Sequence, residues 1–75
     1  MNSSELFRWL RAKPFRPFRI VMTDGASIDI FHPDQLIPFK GTAMVGRRGS
    51  LSSINERDVA ISLLHVIRLE PIDPA

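Results

Sequence analysis

Alternating apolar and polar positions between residues 18 and 31 predict a β-hairpin around which the chain is organised. Two apolar segments flank an Asp-Gly dipeptide at 24–25, which is typical of a hairpin turn. A two-residue turn would place the polar Asp29 opposite Ile20, on the face that must be buried. A three-residue loop, with its glycine in the left-handed region, instead pairs Ile20 with Ile28. The apolar faces then coincide, so we predict the second register.

A helix is predicted before the hairpin, over residues of about 3 to 12. Asn2 or Ser3 can cap its start, and Glu5 stands three residues after Asn2, as a capping box requires. Pro14 disfavours helical backbone at the residue before it and should therefore end the helix. Apolar side chains recur at helical spacing and form one face, which consists of Leu6, Phe7, Trp9 and Leu10.

Short apolar runs separated by turn residues predict a mainly β protein of five strands with one N-terminal helix. The expected strands span about 17–23, 26–32, 42–46, 58–62 and 66–70. Residues 47–57 are polar, rich in serine and without periodicity, so they are expected to form a mobile loop. A flat sheet would leave one face without a core, so we expect a small, strongly bent barrel.

The length of 75 residues leaves room for one domain, expected over residues 1–75, with marginal stability on its own. The chain has no cysteine, so disulfides and thiolate zinc sites are excluded. The longest mainly apolar run, at 59–69, is shorter than the roughly 20 residues of a membrane helix. The first residues carry an acid where a secretory signal would carry bases. We therefore expect a cytoplasmic protein without a membrane partner.

The formal net charge of +2 is unevenly distributed. Residues 1–20 hold five basic side chains against Glu5, a balance of +4, which leaves −2 for the remainder. A basic surface attracts nucleic acid or an acidic partner by long-range steering. An ordinary solvated face has the same composition, so both interpretations stay open here. The five bases are Arg8, Arg11, Lys13, Arg16 and Arg19.

The sequence offers little that would support catalysis. His32 and His65 are far apart in sequence, and no thiolate accompanies them, so we expect no metal and no cofactor. The serines at 50–53 lie in the expected mobile loop, whereas catalysis needs side chains held on a rigid frame. We therefore expect a binding protein rather than an enzyme.

The last third of the chain contains more large apolar residues than one small core should need. Some of them are expected to face another copy of the chain, because strand edges present unpaired backbone groups. Ile67 is one candidate, and Trp9 and Leu10 on the helix are candidates for docking a partner. The apolar residues concerned are Val59, Ile61, Leu63, Leu64, Val66, Ile67 and Leu69.

Several motifs resemble a group of short uncharacterised bacterial proteins. They are Pro-Phe-Arg-Pro-Phe-Arg-Ile at 14–20, Thr-Asp-Gly at 23–25, His-Pro at 32–33, Val-Gly at 45–46 and His-Val-Ile-Arg-Leu-Glu-Pro at 65–71. The likeness spans nearly the whole chain and implies no particular activity.

The order of the predicted elements is similar to that of the Sm-like family, which includes the bacterial Sm-like RNA chaperone. The resemblance implies a five-stranded barrel of the Sm-like or SH3-like type and RNA as a partner. The chaperone's tyrosine-lysine-histidine-alanine run corresponds to residues 63–66 here, where only His65 matches. The first-motif region of eukaryotic Sm proteins corresponds to residues 34–36, which lack its aromatic and its asparagine.

Two functional hypotheses follow from these patterns. The first is RNA binding by a self-associating barrel, through Arg8, Arg11, Lys13, Arg47 and Arg48, with His65 as a further contact. The alternative is a protein-interaction or assembly module without nucleic-acid binding, which would use Trp9, Leu10 and Ile67.

Overall fold

The computed structural model describes residues 1–46 and 59–72, in which one α-helix and six β-strands are found. The predicted loop at 47–57 lies outside the described residues. None of the described helices is long and apolar enough to cross a membrane. The elements are α1 (Ser3–Leu10), β1 (Phe18–Met22), β2 (Ser27–Ile30), β3 (Leu36–Pro38), β4 (Thr42–Val45), β5 (Val59–Ser62) and β6 (Val66–Pro71).

The hairpin between β1 and β2 has the predicted register. Phe18 pairs with Ile30 and Ile20 with Ile28, so the apolar side chains of both strands share the buried face. The N–H of Met22 donates to the carbonyl of the residue at position 26 at 2.8 Å, which leaves three residues in the loop. Gly25 has a φ of 89°, in the left-handed region that glycine adopts without strain.

The strands form two three-stranded antiparallel sheets, in the orders β2-β1-β6 and β3-β4-β5. Two short 3-10 turns lead from one sheet to the other. Pro33–Gln35 connects β2 to β3, and Leu63–His65 connects β5 to β6. The protein is therefore mainly β with one N-terminal helix, as expected, and no closed barrel is found among the described residues.

The prediction of five strands is wrong, because the chain after the hairpin forms two strands where the pattern indicated one. The additional strand is β3, and the bend between β2 and β3 is held by Gln35, which is 7% exposed. Its amide oxygen accepts the N–H of Phe31 at 2.9 Å, and its amide nitrogen donates to the carbonyl of Asp29 at 3.1 Å. Its own carbonyl accepts the N–H of Gly46 at 2.8 Å. The side chain thus satisfies backbone groups that a bend would leave unpaired.

A single apolar cluster lies between the two sheets and under α1. The face of β1 that carries Phe18 and Ile20 meets Leu6 from the helix, and these side chains are almost completely buried. Burial of this kind contributes about 1.5–3 kcal/mol for each large side chain. The buried apolar residues are Leu6, Phe18, Ile20, Ile30, Leu36, Ala43, Val45, Ile61, Leu63 and Val66.

The outer face of the first sheet carries a row of alternating charges, which we call the charge ladder: Asp29, Arg19, Glu70 and Arg68. Arg19 lies opposite Asp29 on one side and opposite Glu70 on the other. Its Nε is 2.8 Å from Asp29 Oδ1, and its Nη1 is 3.8 Å from Glu70 Oε1. Arg68 Nε donates to Glu70 Oε2 at 2.9 Å. The ladder holds two charges of each sign and is neutral as a whole.

The neighbouring carboxylates act on the ionisation of Arg19. The hydrogen bond that Arg19 donates to Asp29, followed by the charges of Asp29 and Glu70, raises the pKa of Arg19 above its ordinary value. A pKa raised on folding means that the charged form favours the folded state at every pH below the ordinary value. This contribution is lost only in strongly alkaline solution.

The apolar residues of the last third divide between the core and the surface. Ile61, Leu63 and Val66 are buried, whereas Leu64 is 83% exposed and Ile67 is 54% exposed. Both exposed side chains lie at or beside β6, which has a strand neighbour on one side only within the described residues. An exposed apolar edge of this kind is an available surface for strand pairing.

Candidate nucleic-acid interface

Helix α1 positions the basic residues, and its local sequence explains where it begins and ends. The side chain of Asn2 accepts the N–H of Glu5 at 3.1 Å and so caps the first turn. At the other end, the N–H of Arg11 donates to the carbonyl of Phe7 at 2.9 Å. The helix ends two residues earlier than the sequence indicated. Leu6 fixes it to the core, which leaves the Arg8 side of its last turn facing outward.

A pocket of about 360 Å³ opens beside the last turn of the helix, and we call it the helix-end pocket. It is lined by Arg8, Trp9 and Ala12 from the helical side, by Arg16 from the connector between α1 and β1 (residues 11–17), and by Pro71 from the end of β6. Its lining is therefore partly apolar, and it includes two arginines. An apolar floor combined with cations is suited to a ligand that has a flat or apolar part and a negative charge.

Trp9 is half-buried and packed against the core. Its ring centroid lies 5.4 Å from that of the buried Phe18, with the two planes tilted by 57°. Phe15 packs against Phe18 edge to face, with the centroids 6.1 Å apart. These aromatic contacts fix the indole before any ligand arrives.

Arg8 has one ionic partner among the described residues, and the contact is weak. Its Nη1 lies 3.5 Å from Oε2 of Glu5, and the two side chains are 77% and 45% exposed. Exposed pairs of this type contribute about 0–1 kcal/mol. Arg8 can therefore exchange Glu5 for another anion at little cost.

The other predicted basic residues of the N-terminal region do not line the helix-end pocket. The guanidinium carbon of Arg11 lies 4.7 Å from the centroid of the Phe7 ring, in a cation–π contact. Arg11 lines a different pocket of about 400 Å³ between the helix and β3, together with Leu10. Lys13 is exposed on the chain that leaves the helix. Arg8, Arg11 and Lys13 thus lie along the same end of α1 without sharing one cavity.

His65 lies at the opposite end of the helix. The α-amino group of Met1 donates to the carbonyl of Leu63 at 3.2 Å, which places the start of the chain beside the turn that contains His65. The ring nitrogen Nδ1 of His65 is 3.3 Å from the hydroxyl of Thr23. His65 also lines its own pocket of about 410 Å³, with Thr23 and Ser62 among the lining residues. The structure therefore does not bring His65 together with Arg8 and Arg11.

The remaining predicted site residues have mixed positions. Arg47 and Arg48 lie outside the described residues. Trp9 and Leu10 are half-buried and packed against the core, so they are partly occupied within the fold, while Ile67 is exposed. Within residues 1–46 and 59–72, no cluster of three histidine, cysteine or acidic side chains could hold a metal ion.

The sequence-based site did not include Arg16, Ala12 or Pro71. The register of β1 with β6 explains their proximity, since Phe18 at the start of β1 pairs with Pro71 at the end of β6. The N–H of Ile72 also donates to the carbonyl of Pro17 at 3.2 Å, which ties the end of β6 to the connector. A prediction that the first strand pairs with the last would have placed Arg16 near Pro71 and so indicated the pocket.

The chain was compared with models of protein families, with curated proteins and with solved structures, and it matches none of them significantly.

Proposed function

We propose that this chain is a non-enzymatic binding module that binds single-stranded RNA through the basic end of α1. The observation that carries the proposal is the helix-end pocket, where Arg8 and Arg16 accompany Trp9 on one surface. Arginines bind phosphates, and aromatic rings stack with bases irrespective of their sequence. Arg11 and Lys13 extend the positive charge along the same end of the helix and would contact neighbouring phosphates.

The distribution of charge favours the helix end over the sheet as the binding surface. Arg19 and Arg68 each lie within 4 Å of a carboxylate in the charge ladder. A phosphate approaching the ladder would be repelled by Asp29 and Glu70. At the helix end, the contact between Arg8 and Glu5 is exposed and only 3.5 Å at its shortest, so Arg8 can exchange Glu5 for a phosphate.

The proposal includes closure of the two sheets into a small Sm-like barrel. Its support is that β2 runs into β3 through five residues, and β5 into β6 through three. The RNA site that we propose differs from the one that the Sm-like resemblance implies. At residues 63–66 the described turn presents Leu64 where that family has a lysine, so the turn lacks a phosphate-binding cation there.

The test is fluorescence anisotropy of labelled oligouridine and oligoadenosine, titrated with the protein across a series of salt concentrations. Binding should weaken steeply with salt, because each phosphate that is neutralised releases counterions. Replacing Arg8, Arg11 and Lys13 together by glutamine should lower the affinity and flatten the salt dependence. Arg68→Gln removes the same type of charge from the charge ladder and is the matched control. Absence of binding, or binding insensitive to both salt and the triple substitution, would refute the proposal.

A second candidate function, self-assembly without RNA, is favoured by the apolar surface beside β6. Leu64 and Ile67 are among the most exposed large apolar residues of the described chain. Pairing of β6 with an edge strand of a second copy would cover this surface and satisfy backbone groups. Light scattering of the same samples separates the possibilities. An oligomer that binds neither oligonucleotide would favour an assembly module over the RNA proposal.

A further inference from the structure

The helix-end pocket has the size of a site for one small ligand. Its volume of about 360 Å³ lies within the roughly 300–1,000 Å³ of typical small-molecule pockets. A second feature is that the floor and the cations come from three separate segments, which the fold holds together. The N–H of Ile72 bonds the carbonyl of Pro17, and the Trp9 ring rests on Phe18. The pocket is therefore preformed rather than assembled by its ligand.

The chemistry of the lining selects among ligands. Trp9 provides an aromatic surface, Ala12 and Pro71 provide small apolar contacts, and Arg8 and Arg16 provide positive charge. A planar ring would replace water on the indole, while an attached phosphate would find a guanidinium within the same cavity. Inorganic phosphate alone would leave the apolar floor uncovered.

A peptide suits this pocket less well than a nucleotide. Peptides that bind in extended form rely on backbone N–H and C=O groups of an exposed strand. Here the N–H of Trp9 is used within the helix, and Pro71 carries no N–H. A buried peptide segment would therefore find no backbone N–H at these two residues for its carbonyl groups. A nucleobase can keep its polar edge in water while its face covers the indole.

We propose that the helix-end pocket binds one nucleotide of a single strand, with the base stacked on Trp9 and the adjoining phosphate held by Arg8 and Arg16. This inference rests on the proposed RNA-binding function and specifies where the strand is held. Because stacking depends little on base identity, the pocket should accept uridine and adenosine nucleotides alike. The phosphate contact should discriminate a nucleotide from its nucleoside.

The sequence contains one tryptophan and no tyrosine, so the intrinsic fluorescence of the protein reports on Trp9. The experiment titrates the full chain with uridine monophosphate, uridine, inorganic phosphate and a short oligouridine. We expect quenching by the oligonucleotide and by uridine monophosphate, about tenfold weaker binding of uridine, and no quenching by phosphate. Arg8→Gln and Arg16→Gln should each weaken binding of uridine monophosphate by about tenfold. Arg68→Gln should leave it unchanged.

The possible results separate this inference from the broader function. If anisotropy shows oligonucleotide binding but Trp9 fluorescence does not respond, and a folded Trp9→Leu variant binds equally well, the pocket assignment is wrong while RNA binding stands. If uridine monophosphate quenches Trp9 but no oligonucleotide binds, the pocket assignment is supported and the RNA function is wrong. If a short peptide with a free carboxylate quenches as strongly as the nucleotide, the assignment to nucleotides is overturned. Absence of any response or binding refutes both.

Discussion

The arginines of the charge ladder and those of the helix end have the same chemistry but different surroundings. Arg19 lies in the middle of a sheet, 2.8 Å from one carboxylate and 3.8 Å from another. Arg8 lies on a helix end, 3.5 Å from a single carboxylate that is itself 45% exposed. The first arginine is saturated by partners within the chain, and the second is directed toward solvent beside an apolar pocket.

A count of charges along the chain therefore does not locate a binding surface. The balance of +4 over residues 1–20 includes Arg19, whose charge is compensated by β2 and β6. Strand pairing brings residues from distant positions opposite each other, so compensation of this kind appears only in the fold. Changes at satisfied polar groups should cost stability without affecting binding, and changes at the helix end should do the opposite.

The largest effect is expected at Gln35, the most buried of the satisfied polar groups. Gln35→Ala removes the acceptor of the Phe31 N–H and the donor to the Asp29 carbonyl. Leaving two partly buried backbone groups without partners should lower the free energy of unfolding by about 1–3 kcal/mol. Urea denaturation followed by Trp9 fluorescence measures this change. Asp34→Asn, at the exposed neighbouring position, is the control and should be nearly neutral. A change below about 0.5 kcal/mol for Gln35→Ala would contradict this account of the bend.

The second effect is on binding. The double variant Arg8→Gln with Arg16→Gln should bind oligouridine about 10- to 100-fold more weakly, because two charge-assisted hydrogen bonds to phosphate are lost. The melting temperature of the single Arg8→Gln variant should change little, since the pair of Arg8 with Glu5 is exposed. Anisotropy and thermal denaturation on the same preparation measure both quantities. Loss of stability without loss of affinity would contradict the claim that the helix-end arginines act on binding.

The third effect concerns stability and is expected at Arg19 in the charge ladder. Arg19→Gln leaves Asp29 and Glu70 facing each other across β1 without the cation that raises the stability of the pair. The melting temperature should fall, by less than for Gln35→Ala, because the Arg19 side chain is 39% exposed. Its affinity for oligouridine should equal that of the wild type. A marked loss of affinity would show that ladder cations also contact the strand.

The smallest effect is expected at the surface beside β6. Ile67→Ser removes an apolar side chain that is 54% exposed in the single chain. If this surface is covered by a second copy, association should weaken roughly fivefold, corresponding to about 1 kcal/mol of lost apolar burial. Light scattering over a dilution series measures the shift, and Thr42→Ser on an exposed position of β4 is a control. Unchanged association would exclude this edge from the interface.

Local patterns predicted the parts of the fold that depend on neighbouring residues. The hairpin register followed from one condition, that Phe18 and Ile20 share a face with Ile30 and Ile28, and the structure has this register. The capping of α1 by Asn2 likewise depends on residues within one turn. Spacing alone determines the hairpin register, whereas the sequence left the helix cap open between Asn2 and Ser3.

Features that depend on distant contacts were not predictable in the same way. The extra strand β3 lies where no strand was predicted, and the bend that precedes it depends on hydrogen bonds from the Gln35 side chain to the backbone of Asp29 and Phe31. A polar residue of this kind has no distinctive pattern in sequence. Arg16 was counted among the N-terminal bases but not assigned to the site, and Pro71 was not considered, because only the pairing of β1 with β6 brings the two chain ends together. Arg8 itself was predicted from composition, whereas the pocket beside it was not.

The most direct test of the account locates the strand on the protein. Oligouridine containing thiouridine is cross-linked to the wild-type chain by light, and the modified residue is identified by mass spectrometry. We predict adducts at Trp9 and its neighbours within residues 8–16, and their loss in the Arg8→Gln with Arg16→Gln variant. Adducts confined to residues 63–65, or to the strands of the charge ladder, would contradict the claim that the helix end binds RNA.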